Sequence, residues 1–180
     1  MIKSKDIKKY ADSINTQPVI PAVIFVLMAI AFLALPQVLA TSLNVTRERS
    51  APADQVWNII SNVDNETAYW PTFKEIKNIN KTDNIIEREV TISAGPQNNT
   101  SHQIVTLYPK LMKIQTNLTE GLVTGTRIVQ LEPISDNKTR VHAIWDIDLS
   151  GIPIIGRGFA ENGIGQTTDE ALSRIAQAAQ

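Results

Sequence analysis

The stretch ERSAPADQVWNIISNVDNETAYWPTFKEI, Glu48 to Ile76, decides how the rest of the chain is read. Ser50 is a capping residue type, Pro52 suits a first helical position, and Asp54 complements the positive end of a helix. Val56, Ile59, Ile60 and Val63 then recur at helical spacing with Trp57 beside them, so an amphipathic helix of about three turns is expected. DNETAYW forms a second short helical turn starting at Asp64 or Asn65. Pro71 ends it, because the residue before a proline is driven out of helical geometry. Tyr69, Trp70 and Phe73 crowd this exit, three of the seven aromatic residues from Trp57 onward.

Strand patterns flank this pair of helices. LNVTRER, Leu43 to Arg49, alternates ahead of it. After it, FKEIKNIN leads to a turn at Lys81 to Asn84, and IIEREVTISAG follows, with Ile86, Val90, Ile92 and Ala94 on one face. Gly95 to Asn99 reads as a loop. HQIVTLYP, LMKIQTNLTE and GTRIVQLEPI come next; in the second, Met112, Ile114 and Leu118 share a face. Asp136-Asn137 turns the chain into TRVHAIWDIDL, where Val141, Ala143, Trp145, Ile147 and Leu149 alternate with polar residues. The tail from Arg157 to Gln180 is helical, with a start signal at Thr167 to Glu170, a weak apolar face of Leu172, Ile175, Ala176 and Ala179, and a first half loosened by Gly163 and Gly165. The order is strand, two short helices, about six antiparallel strands and a long helix. A curved sheet cannot fill its own concave face, so the last helix has to cover it, and such a layer often leaves a cavity.

The first 40 residues are a different kind of sequence. Residues 1–17 carry four lysines against two aspartates, whereas residues 41–180 carry 13 basic against 16 acidic side chains. Between them PVIPAVIFVLMAIAFLALPQVLA, Pro18 to Ala40, holds no charge. A helix needs roughly 20 residues to cross a hydrocarbon core, and the lysines lie only before the run. The expected organisation is a basic cytoplasmic segment at 1–17, a transmembrane signal anchor at 18–40, and an extracytoplasmic domain at 41–180 in the cell membrane as a single-pass protein. A signal peptide cleaved after Ala40 is the rival, and both readings export the domain. Seven N-x-S/T sequons, at Asn44, Asn65, Asn80, Asn98, Asn99, Asn117 and Asn137, agree with export and make these residues glycosylation candidates. A glycan at Asn65 has to point to solvent, so Asn65 and Trp70 belong on opposite faces of their turn.

The absence of cysteine excludes disulfides, thiol nucleophiles and cysteine-ligated metal sites. The two histidines, His102 and His142, have no metal-ligand spacing, so no metal and no cofactor are expected. A net charge of -1 without basic-aromatic interleaving argues against nucleic acid.

The element order and several local patterns resemble the START-like superfamily with the helix-grip fold (SRPBCC, including polyketide cyclase/dehydrase-like and birch-pollen-allergen-like proteins). The opening stretch resembles that family's first strand, its A-P-x-x-V-W-x-x-I-S-x-V helix and its aromatic W-P turn; GTRIVQLEPISDNKTRVHAIWDIDLSG resembles its last hairpin. The resemblance covers about residues 43–180. It implies an α+β fold: a curved antiparallel sheet with two short helices and a long C-terminal helix, here preceded by one transmembrane helix. It also implies a hydrophobic cavity between sheet and C-terminal helix, which family members use for lipids, sterols, quinones, hormones or polyketide-like aromatics.

Candidate cavity residues are Tyr69, Trp70, Phe73, Arg88, His102, Tyr108, Trp145 and Phe159. Trp145 lies on an apolar strand face, where a core role is equally open to it. Arg88 is the unusual one: it falls in register with Ile86, Val90 and Ile92, on the inward face. A buried guanidinium needs a partner, in the protein or on a ligand; otherwise a bulge or the sheet edge lets it reach water. His102, Tyr108, Glu120, Arg127 and Asp146 have acid/base chemistry but form no recognisable constellation, so no catalytic residue is assigned. The leading expectation is a membrane-anchored binder of a hydrophobic small molecule or lipid, a quinone, isoprenoid or similar. One alternative is an accessory or structural subunit of an integral-membrane protein complex. The other is a cyclase/dehydratase-type enzyme, for which Arg88, His102 or Tyr108 would have to converge in the cavity.

Overall fold

The computed structural model describes residues 40–94 and 97–179. The expected segment 1–17 and residues 18–39 of the expected anchor lie outside the described residues. Ala40, the anchor's last expected residue, instead opens a strand. Among the described residues no helix is long and apolar enough to cross a membrane.

Strand β1 (Ala40–Arg49) is followed by helix α1 (Ala53–Ile60) and a 3-10 turn (Val63–Ala68). Strands β2 (Phe73–Thr82), β3 (Ile85–Ala94) and β4 (Gln97–Tyr108) come next. A 3-10 turn at Pro109–Leu111 leads to β5 (Lys113–Glu120), β6 (Thr124–Ser135) and β7 (Lys138–Asp148), and helix α2 (Ile154–Ala178) closes the chain. The seven strands form one antiparallel sheet in the order β1-β7-β6-β5-β4-β3-β2. Consecutive strands from β2 to β7 are neighbours, and β1 closes against β7, so the first strand among the described residues meets the last hairpin. β2 is the far edge; its ladder to β3 is interrupted between Phe73 and Glu75 and again between Asn78 and Asn80.

Alternation placed most of the core, although Ile92 is only half-buried and Met112, expected to share a face with Ile114 and Leu118, precedes β5 at a positive φ of 45°. Val141, Ala143, Trp145, Ile147 and Leu149 are buried, as are Ile86 and Val90 of β3 and Ile114 and Leu118 of β5. They pack with Val56 and Ile60 of α1 and with Ala171, Leu172 and Ile175 of α2.

Four boundaries differ from expectation. Pro52 takes the cap position of α1, and neither it nor Ser50 caps by side chain. The short second helix is 3-10, shifted one residue toward Val63, because the Tyr69 and Trp70 amides both donate to the Glu66 carbonyl and close the turn there. β4 begins at Gln97 inside the expected loop, since Asn98 and Asn99 pair with Ser93 and Ile92 through backbone groups that are indifferent to side-chain polarity. Helix α2 starts directly after Pro153 and runs through Gly156, Gly158, Gly163 and Gly165. Each of these costs about 1 kcal/mol relative to alanine in an isolated helix, so the burial of its second half carries the helix.

Gly125 is different in kind. Its φ is +125°, and a Cβ there would lie 2.3 Å from the Asp146 carbonyl oxygen. Gly125→Ala should cost about 1–3 kcal/mol from backbone conformation alone, and more from the collision. A lowered melting temperature by circular dichroism checks this.

Candidate functional site

The concave face of the sheet and the first half of α2 enclose a cavity of ≈ 560 Å³, within the range of about 300–1,000 Å³ usual for small-molecule sites. Trp70 and Phe73, from the exit of the 3-10 turn, and Trp145 of β7 supply an aromatic wall. Trp70 stacks on Phe73 with ring centroids 5.7 Å apart and meets Trp145 edge-on at 5.9 Å. Leu118, Val123 and Ile152 add aliphatic surface. The helix contributes small side chains, Gly156, Ala160 and Gly163, and this thinness leaves the volume open. A Cβ built on Gly163 meets nothing within 4 Å.

Thr72, Ser93, Asn99 and Thr100 also line the cavity, and part of its rim is apolar and uncovered. Leu122 and Phe159 line the cavity while remaining exposed, Phe159 by 79%. Ile154 and Ile155, between the lining residues Pro153 and Gly156, are 80% and 90% exposed. Beyond this end, α2 is fastened to the sheet: the Trp145 Nε1 donates to Thr168 Oγ1 at 3.1 Å, and the Thr168 hydroxyl donates to the Ile164 carbonyl at 2.6 Å.

The polar floor is a buried charge cluster. Arg88 of β3 and Arg127 of β6 both reach Glu66 in the 3-10 turn. Arg88 Nη2 donates to Glu66 Oε2, and Arg127 Nη2 donates to Glu66 Oε1 at 2.7 Å. Arg88 also donates to the Val63 carbonyl at 3.0 Å and to Gln103 Oε1 from Nε and Nη2 at 3.2 and 3.0 Å. Arg127 Nη2 donates to Thr116 Oγ1 at 3.2 Å. Register explains the assembly: Arg88 lies opposite Gln103, and Thr116 opposite Arg127, so one polar band crosses β3 to β6. The Arg127 guanidinium also sits 4.5 Å from the Trp70 ring centroid, 5.5 Å from that of Trp145 and 5.7 Å from that of Phe73. Such contacts favour a cation.

Burial pushes the Glu66 carboxyl up, but the charges of Arg127 and Arg88 and their hydrogen bonds outweigh it and hold the group below the ordinary glutamate range. Burial pulls Arg127 down, against the opposing attraction of Glu66. The Tyr69 phenol is pushed up, first by burial and then by Glu66.

Of the sequence candidates, Trp70, Phe73, Trp145 and Phe159 line the cavity. Arg88 is fully buried behind the lining, with Glu66 as the partner its register required. Tyr69 is buried too, its hydroxyl reaching the Ile60 carbonyl at a long 3.5 Å. His102 and Tyr108 do not line the cavity. His102 points away from the buried Ser101 and Gln103 on either side of it and bonds Thr119 at 2.7 Å and Glu87 at 3.1 Å. The ring of Tyr108 lies under Lys113 Nζ at 4.2 Å. Glu120 and Asp146 are exposed. Among the sequons, Asn44, Asn65, Asn80, Asn98 and Asn137 are exposed, and Asn99 and Asn117 are half-buried. Asn65 is exposed, whereas Trp70 is buried.

Sequence reasoning missed Glu66, Gln103, Thr116 and Ser101. Glu66 stands among exposed polar neighbours with nothing periodic to mark it. Arg127 shares the parity of the buried Val129 and Leu131, a signal that was present in the sequence.

A seven-stranded antiparallel sheet gripping a long C-terminal helix around a ligand-sized cavity defines a START-like, helix-grip domain. Residues 40–180 match the family model described as Polyketide cyclase / dehydrase and lipid transport, and the chain belongs to that family. No curated protein matches it. Among solved structures it is similar to TTHA0849 of Thermus thermophilus, with a TM-score of 0.69 at 13% identity over 77% of this chain and 97% of that one. It is also similar to the Zhui aromatase/cyclase from a Streptomyces species, with a TM-score of 0.64 at 14% identity over 78% and 91%. A START superfamily protein from Mycobacterium smegmatis gives 0.59 at 18% identity over 76% and 92%. These likenesses concern the fold.

Glu66→Gln leaves two buried guanidiniums without a counter-charge and should destabilise by about 3–5 kcal/mol. Because folding depresses the Glu66 pKa, its contribution is present above the unfolded value of about 4.3 and is lost as pH falls through the lower folded value. Thermal melts from neutral pH into acid should therefore show a steeper acid decline for the wild type than for Glu66→Gln.

Proposed function

We propose that the protein is a membrane-anchored, extracytoplasmic binding protein that holds a hydrophobic small molecule or lipid, a quinone, isoprenoid or similar, in the cavity under α2. The observation that carries this reading is the cavity itself, with aromatic and aliphatic walls and an exposed apolar rim at Leu122, Ile154, Ile155 and Phe159. Such a rim suits exchange of an apolar ligand with a lipid phase, since large uncovered apolar groups are rarely kept without a use. The uncharged run that ends where β1 begins supports a short tether to that phase. The family description includes lipid transport.

A cyclase/dehydratase-type reaction is the second reading, prompted by the aromatase/cyclase of the same fold. General acid–base chemistry needs a proton donor or acceptor within reach of the substrate. Among the described residues lining the cavity, Arg127 is the one with a titratable side chain, and it is held by Glu66. This favours binding over catalysis.

Native mass spectrometry of the full-length protein released from mild detergent should report a co-purifying apolar molecule, together with any glycan mass. Gly163→Leu, which places a side chain where there is open space at the cavity wall, should reduce that ligand occupancy while leaving the circular dichroism spectrum intact. Unchanged occupancy would place the ligand elsewhere, and an empty wild-type protein would remove the reading. Since the chain has no cysteine, orientation is accessible by labelling. Ser135→Cys should react with an impermeant maleimide on intact cells and Ser4→Cys only after lysis; the reverse pattern sinks the extracytoplasmic assignment.

A further inference from the structure

Arg88, Arg127 and Glu66 are 0%, 1% and 3% exposed, and together they carry one positive charge in excess. The two arginines differ in how they are satisfied. Every guanidinium nitrogen of Arg88 has an acceptor. Among the described residues Arg127 uses only Nη2, and its Nε and Nη1 are buried without a hydrogen-bond partner. The surplus charge and the unpartnered donors thus coincide on the arginine that borders the cavity. Neighbouring hydroxyls add to the excess of donors. Ser101 Oγ accepts from Gln103 Nε2 at 3.4 Å and Thr116 Oγ1 accepts from Arg127, so each keeps its own proton to give.

A buried cation without full compensation is costly, and a buried donor left unmade adds to the cost. Trp70, Phe73 and Trp145 surround this guanidinium, and their faces ease the charge but accept no conventional hydrogen bond. What the site lacks is one negative charge on an acceptor atom, attached to a body that fits between aromatic rings.

We infer that the ligand is an amphiphile with a single ionised carboxylate, bound head-inward at Arg127 with its apolar body along the aromatic wall toward Phe159. This deepens the proposed binding function and rests on it. Within that broad class of apolar ligands it ranks a molecule with an ionised head above a neutral quinone or hydrocarbon isoprenoid.

The test uses delipidated full-length protein in amphipol, titrated calorimetrically with palmitate, hexadecanol and methyl palmitate. These share a chain and differ in the charge of the head. Palmitate should bind at least about tenfold tighter than either neutral compound, the worth of one charge-assisted hydrogen bond. Arg127→Met should bring the acid-to-alcohol ratio to about one, and Arg127→Lys should restore part of the preference. Equal or tighter binding of the neutral compounds to the wild type overturns the carboxylate assignment while leaving an apolar-ligand protein. Binding of none of the three removes the underlying reading as well. If either variant fails to fold, the wild-type ratio decides alone.

Discussion

The domain depends on one carboxylate. Glu66 projects from a six-residue 3-10 turn into the interior and is bonded there by guanidiniums from two strands that are not neighbours, β3 and β6. The turn has few apolar side chains with which to hold itself against the sheet. The ionic cluster fixes its position, and with it the direction in which Trp70 and Phe73 leave the turn. The aromatic wall is thus a consequence of the charge cluster: moving Glu66 would move the rings. The sheet's curvature brings Arg88 and Arg127 close enough to share one partner across two intervening strands.

The long helix divides its labour along its length. Its second half carries Thr168, Ala171, Leu172 and Ile175 into the core and is bonded to Trp145. Its first half holds four glycines, covers the cavity and exposes Ile154, Ile155 and Phe159. Stability and access are therefore assigned to different turns of the same helix. Local opening is easiest where buried apolar contacts are few, and here that place is the roof of the cavity.

Much of the fold was legible because strand alternation and helical spacing follow directly from which face is buried. The apolar positions of β7, the inward register of Arg88 and the covering helix could all be read from those periods. The site was only partly legible. Trp70, Phe73 and Trp145 announce themselves by size and by the Pro71 that turns the chain. Glu66 could not be found this way, because its burial comes from a tertiary contact with residues 22 and 61 positions away and not from any local pattern. His102 and Tyr108 were grouped with the cavity on chemical type. The backbone register assigns them elsewhere, and β4 started five residues earlier than its pattern suggested because hydrogen bonding in a ladder does not require apolar side chains.

The two margins of the sheet meet the problem of unpaired backbone in different ways. At β1 the margin is tied to α2: Arg49 Nε donates to the Leu172 carbonyl at 3.2 Å, and Arg47 pairs with Asp169 at 2.5 Å. At β2 the 3-10 turn supplies the contact instead: Asn78 Nδ2 donates to Asp64 Oδ1 at 2.8 Å, and Lys81 pairs with Asp64 Oδ2 at 3.5 Å. Along the strand the two interruptions break the regularity of the ladder, and Lys74 and Lys77 stand exposed beside Glu75. A neighbouring molecule approaching this border meets an irregular, charged template that disfavours continuous cross-strand pairing. The irregular margin thus gives an open sheet a built-in bias against growing edge to edge, without any further layer to cover it.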